Sequence, residues 1–267
     1  MQDIDVSTAN AAPRGNAVLG TPAEIRDFAP VLKWLLVNLL VAIALIVLWS
    51  LGLIQQVLET DHTRVALVIF AIFALTSLHC LYQTWVTSRD LVTARHVSAA
   101  VNAADAIPVQ LADGRVMLDG QVLEAGVIST HIANLIRKAS LGQGGGFDQT
   151  VLLRSLADRL RSREKLGLFV SEALLRLALL GTAIGFILML IPLSGLSSFD
   201  AETLRGALAG MTAGMAIALN VTVTGIGAAL VLKFQYYLLD EAIGELFEII
   251  TETTEVSVLP RIGKAEG

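Results

Sequence analysis

Charge is scarce in this sequence. Asp, Glu, Lys and Arg together make up 16% of its 267 residues, against 54% hydrophobic residues, and a soluble domain of this length needs about 25% charge to cover its surface. The apolar residues form long uninterrupted runs, so the chain is a polytopic membrane protein. There is one cysteine, Cys80, which excludes a disulfide framework or a thiolate metal site within one chain. Four histidines, His62, His79, His96 and His131, are scattered without helical ligand spacing, so no metal is expected. With a net charge of −5 and no basic stripe, no nucleic-acid partner is indicated.

Residues 1–32 are polar, with interspersed Ala, Asn, Pro and Gly, and predict a flexible N-terminal tail ending in a short amphipathic helix over Pro22–Leu32. No short apolar segment with a small-residue cleavage site follows a basic start, so it does not read as a secretory signal. A transmembrane hairpin over 33–86 follows. Its first span covers about Trp34–Ile54 and its second Val65–Val86, with Lys33, Trp34, Trp49, Tyr82 and Trp85 as interfacial anchors. About 20 residues rising ~1.5 Å each cross a hydrocarbon layer of about 30 Å. His79 in the second span is either bonded to a neighbouring helix or placed at the headgroup boundary, or else a proton relay.

Residues 87–166 form the sizeable polar segment. Helices are expected over Arg89–Ala106 and Val127–Ala139. Between them Pro108, Asp113-Gly114 and Asp119-Gly120 signal irregular structure or a small hairpin. The run Gly142–Gly146 breaks the chain; with no Lys-Ser or Lys-Thr after it and no strand before it, it is not a phosphate cradle. From Asp148, an N-cap candidate, one long helix is expected to reach Pro192, charged in its first half and membrane-spanning from Gly167. A short turn leads to the fourth span, Gly206–Leu232, continued by an acidic amphipathic helix from Lys233, with fraying expected from Leu259. The fold class is therefore all-α, with four spans and the third and fourth extended into the cytoplasm. Residues 167–232 form the pore hairpin and 233–267 the cytoplasmic C-terminal helix and tail.

Basic residues set the orientation. Ten lie between Arg89 and Lys165, whereas the two turns on the opposite side contribute only Arg64 and Arg205. Both termini are expected in the cytoplasm.

Gly206, Gly210 and Gly214 recur every four residues, as do Gly181 and Gly185, and Gly225 follows in span four. Small residues let membrane helices approach closely, within one chain or between subunits. Thr182 and Thr222 sit deep in consecutive spans. Each hydroxyl can bond its own i−4 carbonyl, or the two can line an ion path, with Asn220 and Thr224 as neighbours. No Asp or Glu lies between Gly206 and Leu232. A threonine does not titrate, so a proton carrier must come from another polypeptide. Glu172 and Arg176, four apart, form an i,i+4 pair or an electrostatic gate at the cytoplasmic mouth.

Leu179-Leu180-Gly181-Thr182-Ala183-Ile184-Gly185 resembles the span-three signature Gly-Leu-Leu-Gly-Thr-Val-x-Gly of the MotA/TolQ/ExbB proton-channel superfamily. Ala216-Ile217-Ala218-Leu219-Asn220-Val221-Thr222-Val223-Thr224-Gly225 resembles its span-four pattern. Four spans with a large second loop are more similar to MotA than to the three-span members. The resemblance implies a homo-oligomeric ring, typically a pentamer, around a single-span partner similar to MotB, TolR or ExbD that supplies an Asp as proton carrier. It implies that Thr182 and Thr222 face that Asp, and that the site is the bacterial inner membrane, with H⁺ (or Na⁺) translocated and no cofactor. Leu175 and Ala178 stand where the family often has proline and glycine. The 87–166 loop lacks MotA's rotor-gripping charge pattern, so a stator-like unit serving another system is implied. The competing readings are a non-conducting scaffold that recruits a cytoplasmic partner, a secondary transporter, for which no internal repeat is evident, and an enzyme, for which no catalytic constellation appears.

Overall fold

The structure, a computed structural model, describes residues 29–52, 54–55, 64–104, 106, 108–111, 114–141, 149–194 and 201–265. The N-terminal tail to residue 28, most of the amphipathic helix expected over Pro22–Leu32, the glycine run 142–146, Asp148 and the turn 195–200 lie outside them.

Helix α1, Ala29–Ser50, begins with Pro30 in its first turn, where a missing N–H costs nothing. It ends at Gly52, whose φ of 74° only glycine adopts readily and whose N–H bonds the Trp49 carbonyl at 2.9 Å. Both ends fall earlier than the expected Trp34–Ile54. Only Pro30 and Trp34 of α1 are buried.

Helix α2, Val65–Ala103, is a single element of 39 residues, about 58 Å long. The expected second span and the helix after it are one rod, because no Pro or Gly interrupts them. Three short strands follow, β1 (Val109–Gln110), β2 (Val116–Leu118) and β3 (Gln121–Val122), in an antiparallel meander. Asp119 and Gly120, at φ 50° and 79°, join the Leu118–Gln121 pair, the positive-φ pair of a two-residue hairpin turn. This small sheet, which extends the small hairpin expected between the helices by one strand, is an addition to a fold in which about 89% of the described residues are helical. Val116 and Leu118 point inward, in one core with Ile128 and Ile132 of α3, Val127–Leu141.

Helices α4 (Thr150–Ser194, 45 residues) and α5 (Ala201–Glu252, 52 residues) dominate the molecule. Pro192 lies inside the last turn of α4 instead of stopping it. A π-helical turn, Thr253–Val258, leads to α6, Leu259–Ala265. The expected fraying is corrected here. Val258 and Ile262 are buried and the Arg261 guanidinium donates to the Val101 carbonyl at 2.9 Å, so packing on α2 holds this end in place.

The two large interfaces are α4 on α5 and α2 on α5. The first is antiparallel and keeps one register throughout: position 167 meets 236, 178 meets 225, 181 meets 221, 185 meets 218, 189 meets 214 and 192 meets 210. The second is parallel, placing Ile69 by Gly225, His79 by Tyr236, Ser98 by Thr253 and Val101 by Arg261. Helices α1, α2, α4 and α5 are each long and apolar enough to cross a membrane.

Candidate functional site

The α4–α5 hairpin is closed by glycines. A Cβ on Gly181 would lie 2.2 Å from Val221 Cγ1, on Gly185 2.7 Å from Ala218 Cα, and on Gly214 2.6 Å from Met189 N. On Gly210 it would meet the Pro192 ring at 2.7 Å, and on Gly225 the Ala178 methyl at 2.5 Å. These distances are below any real Cβ contact, so the two backbones approach as closely as they do only because side chains are absent. Gly206 does not belong to this set: nothing lies within 4 Å of its would-be Cβ. The register carries position 206 past the end of α4 at Ser194, which the four-residue spacing could not reveal.

The same register brings Thr182 and Thr222 to one level, since Gly181 faces Val221. Their Cα atoms differ in depth by roughly 3 Å at most, at about 1.5 Å per residue. Neither hydroxyl bonds the other. Thr182 Oγ1 donates to the Leu179 carbonyl at 2.6 Å and Thr222 Oγ1 to the Ala218 carbonyl at 2.9 Å. Each oxygen keeps lone pairs free to accept a hydrogen bond or solvate a cation. Asn220 and Thr224 are half-buried and, among the described residues, their side chains make no hydrogen bond. With Ala216 they succeed one another every four residues on one face of α5.

Glu172 and Arg176 pair at 3.5 Å, with their side chains 68% and 76% exposed. The i,i+4 pair therefore exists. It points away from the other helices of its own chain.

One cluster escaped the sequence reading. A Cβ on Gly167 would lie 2.0 Å from the Tyr236 ring. That ring is fully buried, and its hydroxyl meets His79 Nδ1 at 2.8 Å and the Thr76 carbonyl at 3.4 Å. Gln83 Nε2 approaches His79 Nε2 at 3.4 Å. His79 is thus bonded to a neighbouring helix, the first of the readings of it. The available signal was Gly167 itself, since a glycine inside a helix costs about 1 kcal/mol and needs a packing reason. Nearby, Gln235 donates to Asn38 Oδ1 at 3.0 Å, tying α5 to α1.

Beyond the apolar hairpin, Arg163 on α4 donates to Asp90 at 2.7 Å and Thr87 at 2.9 Å, both on α2. Arg95 pairs with Glu245 at 2.6 Å and Lys33 with Glu241 at 2.7 Å. His131 of α3 is buried, and burial pushes its pKa below the ordinary histidine value, an effect the adjacent Gln149 amide partly opposes. Its Nε2 and both polar atoms of that amide form no well-aligned hydrogen bond. Among the described residues no three His, Cys, Asp or Glu side chains gather as a metal site. In comparisons with known proteins, no family model matches the chain, and no curated protein or solved structure is significantly similar to it.

Proposed function

We propose that this chain is the proton-channel subunit of an inner-membrane motor complex driven by the proton-motive force. In this reading several copies form a ring around a single-span partner that supplies the proton-carrying Asp, and both termini are cytoplasmic. The observation that carries the reading is the common level of Thr182 and Thr222 on two glycine-packed helices, with no ionisable side chain on α5 between Arg205 and Lys233. Such a wall can solvate a proton carrier without competing for its proton.

The need for neighbours has its own support. Glu172 and Arg176 lie within the third apolar run yet face outward, 68% and 76% exposed. Facing hydrocarbon, that pair would be costly. A second copy or a partner helix covering the face removes the cost, and one lying along the Asn220–Thr224 side of α5 gives those side chains hydrogen-bond partners.

A second reading, a non-conducting scaffold, is favoured by the bonds both hydroxyls make within their own helices. Purification of the chain from its native membrane separates the two. A co-purifying single-span protein with an Asp early in its span is the expected result; a cytoplasmic protein alone supports the scaffold.

A further inference from the structure

A cleft of about 730 Å³ opens between α1, α4 and α5, where the helices leave the apolar belt. It is graded along its length. Leu230 lines its deep end and Glu164 and Asp240 its foot, with Leu40 and Lys233 at one level between them and Leu168 just below. The grading runs the same way on all three helices. From Leu40, α1 descends to Lys33; from Leu168, α4 descends one turn to Glu164; from Leu230, α5 descends to Lys233 and Asp240. The Lys33–Glu241 pair marks the charged end.

Among the described residues nothing fills this cleft. Helix α1 is tied to α5 through Asn38 and Lys33 but buries only Pro30 and Trp34, so the space between them is left open. Among the described residues, none of Glu164, Lys233 and Asp240 is in a salt bridge; the Glu164 carboxyl is within hydrogen-bonding reach of that of Asp240, and Arg161 lies near enough to attract it. Two carboxyls at the foot of an apolar slot, with Lys233 about 10 Å deeper along α5, match an amphiphile whose amine lies outermost and whose phosphate lies nearer its acyl chains.

We propose that this cleft binds a phospholipid with a zwitterionic, amine-bearing headgroup of the phosphatidylethanolamine type. Its ammonium group lies between Glu164 and Asp240, its phosphate against Lys233, and an acyl chain along Leu40 and Leu230. Charge-assisted hydrogen bonds to both carboxylates set the headgroup preference. An anionic headgroup would gain Lys233 but meet two carboxylates. A free cation would leave the apolar walls unused. The inference rests on the four-span arrangement and not on proton conduction.

The test uses the full chain, purified with whatever accompanies it, in nanodiscs holding equal phosphatidylethanolamine and phosphatidylglycerol. Retained lipid is measured by native mass spectrometry. Wild type is expected to retain about one phosphatidylethanolamine per chain, preferred about tenfold. Glu164→Gln with Asp240→Asn erases the preference while lipid is still retained, and Leu230→Trp fills the slot and expels the lipid. Equal retention of the two lipids by wild type, or none of either, overturns the proposal. So does efficient crosslinking of Leu40→Cys on one copy to Leu230→Cys on another, which would make a second copy the occupant. If Leu230→Trp fails to fold, the carboxylate pair still decides the matter.

Discussion

The Tyr236 ring occupies the space that a side chain at position 167 would fill: a Cβ there would sit 2.0 Å from Tyr236 Cζ. Three helices meet at this point, because the Tyr236 hydroxyl also reaches His79 on α2 at 2.8 Å. Gly167→Ala forces the ring out and breaks that bond. The expected loss of stability is about 1–3 kcal/mol, read as a lowered midpoint in SDS or thermal unfolding. In Gly167→Ala with Tyr236→Ala, most of the clash term disappears, so the two changes are expected to be non-additive. Additivity would contradict the contact.

The seam glycines are expected to differ sharply from Gly206. Gly185→Leu and Gly214→Leu place side chains into the backbones of α5 and α4 and prevent the hairpin from closing. Gly206→Ala, with nothing within 4 Å, is neutral or stabilises by up to about 1 kcal/mol through helix propensity. Unfolding midpoints of the three variants, measured side by side, report closure.

Much of this was legible in the sequence, and the failures have physical reasons. Four apolar runs were readable because a bilayer demands length and hydropathy, both local properties. The Asp119-Gly120 turn was readable because its positive φ angles (50° and 79°) restrict residue choice. The continuity of α2 through Thr87 was not read, since hydropathy marks where a helix leaves lipid and not where it ends. Strands of two or three residues are too short for a period to show. Fraying is the expectation from Leu259 onward, yet Ile262 is held by tertiary burial that no local signal carries. The ladder of spacings found Gly181, Gly185, Gly210 and Gly214 but could not place Gly206 outside the seam or Gly167 beneath a tyrosine. Both facts belong to the register between two helices.

Ion pairs joining the helices beyond the apolar hairpin are expected to contribute according to burial. Arg163 and Asp90 have side chains only 18% and 19% exposed. Arg163→Ala leaves that carboxylate and Thr87 without their partner and costs about 2–3 kcal/mol. Lys33→Ala removes a pair whose members are 51% and 53% exposed, and costs less than about 1 kcal/mol. Unfolding midpoints of the two variants, measured side by side, check the ordering.

The α3 segment is expected to loosen in acid. Burial lowers the pKa of His131 in the folded state, so the unfolded chain takes up the proton first. This contribution to stability is full above about pH 7.5 and declines as pH falls through about 6.5, the ordinary histidine value. Protection factors of the amides across Val127–Leu141, corrected for the base-catalysed intrinsic exchange rate, should fall between pH 7.5 and 5.5. His131→Phe should abolish that dependence.

The most direct test of the central claim is partner-dependent proton flux through reconstituted complexes carrying Thr222→Val. The substitution keeps the shape of the side chain and removes its hydroxyl. Assembly is expected to be unchanged and flux to fall at least about tenfold, since a lost hydrogen bond to a charged carrier is worth about 1.5–3 kcal/mol. Undiminished flux from an intact complex would contradict the threonine-lined pathway.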